Sequence, residues 1–207
     1  MSDERFSLVL GTGNAKKVVE LRRLLPADRF DLQTLADLRG TDTPPIEVDE
    51  TGETFAENAA LKASQQAKHL GRWVFAEDSG LTVDALGGDP GVRSARYAGT
   101  HGDDEANNDK LLAALDGVPP ERRGAAFHCH MALADPTGEI RVTASGTCRG
   151  RIAEARHGDA GFGYDPLFIV PEYHRTFAQL GVAVKGAISH RAVALRQFLP
   201  GLRRLAP

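Results

Sequence analysis

The sequence predicts a mixed α/β fold, because two features of its patterning point to that class. Segments with strand and helix patterns alternate through the first half of the chain, and a pair of strands joined by a short turn follows in the second half. Hydrophobic residues make up 42% of the 207 residues and charged residues 26%, which is typical of a globular protein. At this length we expect residues 1–207 to form a single large domain or two small lobes sharing a sheet, and the sequence contains no internal repeat or low-complexity segment.

The N-terminal elements are predicted as a strand, a glycine-rich turn, a helix and a second strand. An apolar run at residues 7–10 leads into the turn at residues 11–14. The helix after it is expected to end at Pro26, and the second strand lies at residues 30–35. The apolar stripe of this helix consists of Val18, Leu21, Leu24 and Leu25.

The middle of the chain is predicted as a loop, a helix and a buried strand. Proline, glycine and acidic residues indicate a loop at residues 39–53. A helix begins after Thr54, which has capping-box spacing to the glutamate three residues later, and Gly71 is expected to end it. Residues 73–76 predict a buried strand, with the acidic segment 77–80 directly at its end.

The remaining elements are a helix, a hairpin, a short strand and a C-terminal helix. They are predicted at residues 103–115, at 125–134 and 140–149 with a turn across 135–138, at 167–170, and from about 189 to 199.

Charge and composition narrow the classes of function. A formal net charge of −3 argues against a broad nucleic-acid-binding surface, but it is compatible with a small anionic ligand. The polar N-terminus predicts no signal peptide, and no apolar run approaches the ~20 residues that span a membrane. Two cysteines are too few for a disulfide framework. We therefore expect a cytoplasmic protein that binds neither nucleic acid nor membrane.

The turn before the first helix is a candidate phosphate-binding site. Its glycines would let backbone N–H groups approach an anion, and the N-terminus of a helix favours negative charge. Lys17 lies about one turn inside the helix, within reach of the same anion. Such turns are structural more often than not, and this one is neither a Walker A loop nor a full Rossmann fingerprint.

Two groups of acidic residues are candidate metal ligands. Carboxylates at a strand end supply the oxygen ligands that Mg²⁺ needs. The acids of the loop alone fit a solvated turn equally well. Two adjacent acids after a buried strand would be costly without a cation or hydrogen-bond partners. The two groups are Glu47, Asp49, Glu50 and Glu53 in the loop, and Glu77 and Asp78 after the strand.

Two later segments are candidates for binding a purine base. Phe162 and Tyr164 stand between glycines, where one ring would stack on a purine, although a core-packing aromatic turn explains the segment as well. Lys185 and the segment 189–191 supply cationic donors for phosphate or for a base carbonyl. A helix cap followed by two exposed basic residues is the alternative for residues 189–191.

Taken together, these segments resemble the Ham1-like inosine triphosphate pyrophosphatase family, also called the non-canonical purine NTP pyrophosphatases. The resemblance extends from about residue 8 to residue 198, and the combination of short motifs is highly specific. The matching segments are residues 12–17, 50–55, 57–63, 77–81, 94–99, 161–166 and 176–178, with Lys185 and residues 189–191.

This resemblance implies an elongated central mixed sheet flanked by helices, with two lobes and an active-site cleft between them. It also implies a Mg²⁺-dependent homodimer that hydrolyses ITP, dITP and XTP to the nucleoside monophosphate and pyrophosphate, removing them from the nucleotide pool. Asp78 would be the catalytic acid–base and a metal-linked carboxylate, with Glu77 as a second catalytic candidate. Asp49 or Glu50 would be the other metal-linked acid.

The implied substrate-binding residues come from several segments. One departure from the family pattern is Gln179, which stands at a peripheral position where an acid is expected. The triphosphate would be held by Thr12, Gly13, Asn14, Ala15, Lys16 and Lys17, with Lys62 offsetting its charge, and Ser79 would touch the substrate. The nucleotide and its base would be bound by Phe162, Gly163, Tyr164, Asp165, Lys185, His190 and Arg191.

The mechanism expected from these parts combines charge neutralisation with activation of water. Lys17, Lys62 and Lys185 would offset phosphate charge, while the catalytic carboxylate orients or deprotonates a water molecule. A donor from His190 or Arg191 to the 6-oxo group would favour inosine and xanthosine over adenosine, whose 6-amino group is itself a donor. Two alternatives remain: a house-cleaning pyrophosphatase for modified pyrimidine triphosphates, and a non-catalytic nucleotide-binding regulatory module.

Overall fold

The computed structural model describes residues 5–25 and 29–205, which contain seven β-strands and five α-helices. The strands are β1 (Phe6–Leu10), β2 (Phe30–Thr34), β3 (Val74–Val83), β4 (Gly124–Ala134), β5 (Ile140–Ile152), β6 (Phe168–Val170) and β7 (Arg175–Thr176). The helices are α1 (Ala15–Leu24), α2 (Phe55–Leu70), α3 (Asp104–Ala114), α4 (Phe177–Ile188) and α5 (His190–Leu205).

The strands form one mixed sheet in the order β2-β1-β3-β4-β5-β6-β7. Strand β1 pairs in parallel with both β2 and β3, while β5–β6 and β6–β7 are antiparallel pairs. Helices α1 and α2 connect the three parallel strands, as such crossovers require. The predicted mixed α/β class is confirmed.

The chain divides into two compact units. The first unit comprises Met1–Asp78, Cys129–Gly146 and Ala194–Pro207, and the second comprises Ser79–His128 and Thr147–Val193.

Helix α2 is held against the sheet of the first unit by small side chains. Ala59, Ala63 and Ala67 are fully buried and pack with Val9 and Val74. Alanines at this spacing form a narrow stripe that brings the helix backbone close to the strands. This packing presents the polar residues of α2 to the middle of β3.

The ends of α2 follow the sequence signals. The Thr54 hydroxyl accepts a hydrogen bond from the Glu57 amide, and the Glu57 side chain caps the Thr54 amide, so the predicted capping box is confirmed. Such a cap typically contributes ~1 kcal/mol. Gly71 ends the helix in the left-handed conformation, as predicted.

The core of the second unit is built largely from aromatic rings. Phe168 lies 4.6 Å from Phe127 and 5.3 Å from Phe177 between ring centroids. Leu81 and Leu111 are fully buried in the same cluster. This core supports the segment 161–166 and the start of α4.

Strand β3 continues to Val83, so the prediction that it ends before Glu77 is wrong. Both acidic side chains lie inside the strand, where lysine ammonium groups offset their charge. Further along, the Leu81 amide donates to the Ser94 hydroxyl at 2.8 Å.

The C-terminal region contains more helix than predicted. Helix α4 has no counterpart in the prediction, and it is interrupted at Gly181, whose backbone is not helical (φ 75°, ψ 173°). Helix α5 continues past Pro200 to Leu205. Pro26, the predicted end of α1, lies outside the described residues. Within residues 5–25 and 29–205, every helix is too short or too polar to cross a membrane.

Candidate functional site

Five charged side chains of the first unit form a cluster on β3, which we call the acid–lysine cluster: Lys17, Glu50, Lys62, Glu77 and Asp78. The Lys62 Nζ lies 3.0 Å from Asp78 Oδ1 and 3.1 Å from Glu50 Oε2. The Lys17 Nζ lies 3.1 Å from Glu77 Oε1. These contacts bring together residues from α1, the loop before α2, α2 itself and β3.

Asp78 is buried, and two opposing effects act on its ionisation. Burial raises the pKa of Asp78, and the ammonium groups of Lys62 and Lys17 oppose that rise. Burial also disfavours the charged form of Lys62, but Asp78 and Glu50 outweigh it and raise the pKa of that lysine. We conclude that Lys62 stays charged beside a carboxylate that accepts a proton more readily than an exposed aspartate does.

Glu77 is more deeply enclosed than Asp78. Its side chain is fully buried, and its two oxygens contact different partners, Lys17 on one side and Cys129 on the other. The Cys129 thiol donates to Glu77 Oε2 at 3.0 Å. We therefore expect Glu77 to fix the position of Lys17.

Asn58 links Asp78 to the loop that carries Glu50. Its side chain accepts from the Gly52 amide at 2.8 Å, and its Nδ2 group lies 3.3 Å from the Gly52 carbonyl and 3.4 Å from Asp78 Oδ2. A β-carbon on Gly52 would lie 2.7 Å from Asn58 Oδ1, so this approach requires glycine. Asn58 is absent from the predicted site residues; the signal for it in the sequence is a polar residue beside the buried alanines of α2.

The glycine-rich turn lies at the start of α1, as predicted. The side chain of Asn14 caps the helix by accepting hydrogen bonds from the amides of Lys16 and Lys17. Gly13 and Ala15 are exposed, so a ligand can approach their backbone. The Thr12 hydroxyl accepts from the Asn14 amide at 3.2 Å and shapes the turn.

A second group of predicted residues meets in the second unit. The Lys185 Nζ lies 2.6 Å from Asp165 Oδ2 and 4.4 Å from the centre of the Phe162 ring. The Arg191 guanidinium carbon lies 5.9 Å from the same ring. We call Phe162, Asp165, Lys185 and Arg191 the aromatic–cation cluster.

The two aromatic rings of this segment have different environments. Tyr164 is only 4% exposed and its hydroxyl donates to the Ser94 carbonyl at 2.8 Å. It is a core residue, which is the alternative that the sequence left open. Phe162 is half-buried, so its ring is the one accessible to a ligand.

The residues at the start of α5 are buried rather than exposed. Arg191 is 1% exposed and donates to the Ser79 hydroxyl at 3.2 Å. The His190 ring stacks on Phe127 at 4.8 Å. Ser189 caps the helix, since its hydroxyl accepts from the Ala192 amide. The alternative with two exposed basic residues is therefore wrong, although the cap itself is present.

Gln179, the departure from the family pattern, has a structural role at α4. Its side-chain oxygen accepts from the Thr176 amide at 3.0 Å, and its own amide donates to the Thr176 hydroxyl. Glutamine thus completes a capping box, as an acid at that position would.

The donor set of the first unit fits Mg²⁺ shared with a phosphate ligand. Among the residues that the structure describes, no group of three or more His, Cys, Asp or Glu side chains is arranged to hold a metal. Mg²⁺ is usually held by one or two carboxylates and substrate phosphates. Glu50 and Asp78 contact the same lysine nitrogen and supply hard oxygen donors, whereas Asp49 is exposed.

Comparison with known proteins agrees with this geometry. A sequence model of the Ham1 family matches residues 8–201. A Rhodopirellula baltica protein named dITP/XTP pyrophosphatase is 63% identical over 200 residues, which cover 97% of this chain and 94% of that protein. A protein of the same name from Geobacillus kaustophilus is 51% identical over 191 residues, covering 92% and 91% of the two chains.

Solved structures give the same result. A HAM1 protein from Coxiella burnetii matches with a TM-score of 0.83 and 39% identity, covering 97% of this chain and 100% of that one. A Mycobacterium abscessus structure, described as nucleoside-triphosphatase / dITP/XTP pyrophosphatase, has a TM-score of 0.75 and 45% identity, covering 94% and 100%.

A glycine turn that opens a helix, with paired carboxylates between lysines on the adjoining strand, defines a protein that binds a phosphorylated ligand. The extent of the sequence match then identifies it: the chain belongs to the Ham1 family.

Proposed function

We propose that this protein is a nucleoside-triphosphate pyrophosphatase that hydrolyses dITP, XTP and ITP to the nucleoside monophosphate and pyrophosphate. The observation that carries the proposal is the 63% identity, over 97% of the chain, to a protein named dITP/XTP pyrophosphatase. The acid–lysine cluster supports it, since cleavage of an anhydride requires both charge neutralisation and a carboxylate to handle a proton.

Asp78 and Glu50 would hold Mg²⁺ together with phosphate oxygens. When bound, the ion would supply Lewis-acid stabilisation of the charge on those oxygens. Lys17 and Lys62 would bind the triphosphate and offset its remaining charge. Asp78 would orient the attacking water or take its proton at its carboxylate.

The aromatic–cation cluster would bind the base. Phe162 would stack on the purine, and a donor from Arg191 or His190 would contact its 6-oxo group. An adenine would present a donor at the same point, and the unmatched buried pair of donors would disfavour ATP by several orders of magnitude.

The test is an assay of the purified protein with ITP, dITP, XTP, ATP, GTP and dUTP, in Mg²⁺ and then with a chelator. Pyrophosphate and orthophosphate are measured separately. We expect chelator-sensitive pyrophosphate release from ITP, dITP and XTP, with little from ATP or GTP. Release of orthophosphate, a preference for dUTP, or binding without turnover would contradict the proposal.

We further propose that the protein acts as a cytoplasmic homodimer, which the family relationship supports. Light scattering coupled to size-exclusion chromatography would give about twice the monomer mass of 22.2 kDa. A monomer mass at micromolar concentration would contradict the dimer. Fractionation of cells for the native protein tests the compartment.

A further inference from the structure

Helix α3 holds Gly163 by both polar groups of its backbone. Asn108 Nδ2 donates to the Gly163 carbonyl at 2.9 Å, and the Gly163 amide donates to Asp104 Oδ2 at 3.0 Å. Asp104 and Asn108 are four residues apart, so they lie on the same face of the helix. Asn108 is 1% exposed, and such a buried hydrogen bond is well shielded from water.

Gly163 is the point at which the segment around Phe162 turns. Its φ of 61° lies in the left-handed region, and a β-carbon there would meet nothing within 4 Å, so backbone conformation rather than space requires glycine. The residues on either side are fixed by other groups. The Phe162 amide donates to Asp165, and the Tyr164 hydroxyl donates to Ser94.

The two hydrogen bonds to Gly163 therefore also restrict the position of the neighbouring residue, Phe162. Phe162 is half-buried, while Tyr164 and Asp165 are anchored in the core. The Gly163 amide lies in the peptide plane shared with Phe162, which Asp104 holds, and the Gly163 carbonyl lies in the plane shared with Tyr164, which Asn108 holds. The direction of the Phe162 ring, above Lys185, depends on these two planes. Both side chains bond the backbone of Gly163, so we expect them to act by positioning this segment.

We propose that Asp104 and Asn108 are positioning residues that set the Phe162 ring for the purine base. This inference rests on the proposed function, because it assigns the half-buried ring to the base. Neither residue would touch the nucleotide. Their effect on base recognition would be transmitted by the backbone of Gly163.

The donor and acceptor roles in the two hydrogen bonds to Gly163 determine which variants test the proposal. The Gly163 carbonyl needs a donor, so Asn108→Asp places an acceptor against an acceptor and breaks the contact. The Gly163 amide needs an acceptor, so Asp104→Asn keeps the contact through its amide oxygen. Asn107→Ala is the matched control, because Asn107 is equally buried on the same helix but bonds the backbone at Ala95 and Ala98.

A double-mutant cycle between Asn108→Asp and Phe162→Ala tests the proposal with ITP as substrate. We expect Asn108→Asp to lower kcat/KM about tenfold, mainly through KM, in the wild-type background. In the Phe162→Ala background the same change should lower kcat/KM less than twofold. Asp104→Asn should stay within about threefold of wild type, and Asn107→Ala should lower Tm without a selective rise in KM.

Equal losses in both backgrounds would mean that Asn108 acts on folding or on another group, and that would overturn the inference. A wild-type KM in Asn108→Asp would overturn it as well. If Asn108→Asp does not fold, Asp104→Ala takes its place in the same cycle. Failure of the wild-type protein to turn over any triphosphate would instead contradict the proposed function, so the two failures are distinguishable.

Discussion

Asp78 combines a carboxylate with a buried position in the first unit. Burial raises its pKa, so keeping it ionised at neutral pH costs the folded state free energy. Lys62 and Asn58 compensate part of that cost through contacts at 3.0 Å and 3.4 Å. These contacts hold the carboxylate in a fixed position, where the proposed reaction needs a group that orients or deprotonates water.

Replacing Asp78 by asparagine distinguishes its role in catalysis from its role in folding. We expect Asp78→Asn to lower kcat for ITP by about 10²- to 10⁴-fold, because the proton acceptor is lost. The neutral amide relieves the burial cost of the carboxylate, and Lys62 keeps its contact with Glu50, so Tm should fall little. Steady-state kinetics, calorimetric ITP binding and a thermal melt measure the three effects. Near-normal turnover would remove Asp78 from the mechanism.

Glu77 should respond differently from its neighbour. Its carboxylate is fully buried between Lys17 and Cys129, so Glu77→Gln breaks a buried ion pair, at a cost on the order of 3 kcal/mol. We expect a lower Tm and a higher KM for ITP, because Lys17 loses its fixed position. The fall in kcat should be much smaller than for Asp78→Asn. An equal loss of kcat with unchanged KM would instead make Glu77 a proton-transfer residue.

At the scale of elements, the side chain of Asp135 stabilises the hairpin turn between β4 and β5. Asp135 accepts hydrogen bonds from the Thr137 hydroxyl at 2.6 Å and from the amides of Thr137 and Glu139. The hydrogen bond from the Thr137 hydroxyl has the largest effect on the pKa of Asp135 and lowers it. Burial raises this pKa, whereas the two amides and Arg141 lower it further. The predicted turn at residues 135–138 thus has an identifiable stabilising residue.

The lowered pKa fixes the sign of a pH effect on stability. The unfolded chain binds a proton at Asp135 more readily than the folded chain does, so this contribution is full above the ordinary pKa of 3.8 and is lost as pH falls through the lower folded value. We expect Asp135→Ala to lower Tm at pH 7 and the difference from wild type to shrink below pH 4. Thermal melts across that range measure it. A difference that grows toward low pH would contradict this account.

Elements with local signals were predictable, and elements that depend on distant partners were not. The capping box at Thr54 and the turn at residues 135–138 are determined by residues within five positions of each other. The continuation of β3 depends on Lys17 and Lys62, which come from separate helices and offset the acids inside the strand. Gly181 interrupts the periodicity that would have revealed α4.

At the scale of the whole molecule, the candidate site shows the same difference between features with local signals and features that depend on distant partners. Its residue types were predictable, because paired acids and a glycine turn carry recognisable chemistry. Their partners were not, because Glu50, Lys62 and Asp78 meet only once the loop, α2 and β3 are folded. The same applies to Cys129, which contacts Glu77 from another strand. Spacing along the chain contains no information about such contacts.

The two thiols report on the stability of the whole molecule. Cys129 is fully buried in the first unit, and Cys148 is 9% exposed in the second, where burial raises its pKa to about 11. The thiolate is the reactive form and both thiols are buried, so we expect modification at pH 7 to follow unfolding. We expect both thiols to react slowly with an aromatic disulfide reagent and to react faster as urea is added.

Ligand binding should slow this modification further. A ligand that binds only the folded state at 100 times its Kd stabilises it by ~2.7 kcal/mol, equivalent to ~100-fold slower modification when the reaction follows unfolding. We therefore expect Mg²⁺ with a non-hydrolysable ITP analogue to protect the thiols, and a matched ATP analogue to protect them much less. The variant Cys148→Ser reports on Cys129, and Cys129→Ser reports on Cys148. Fast modification of either thiol with full retention of activity would show that local opening, rather than unfolding of the molecule, exposes it.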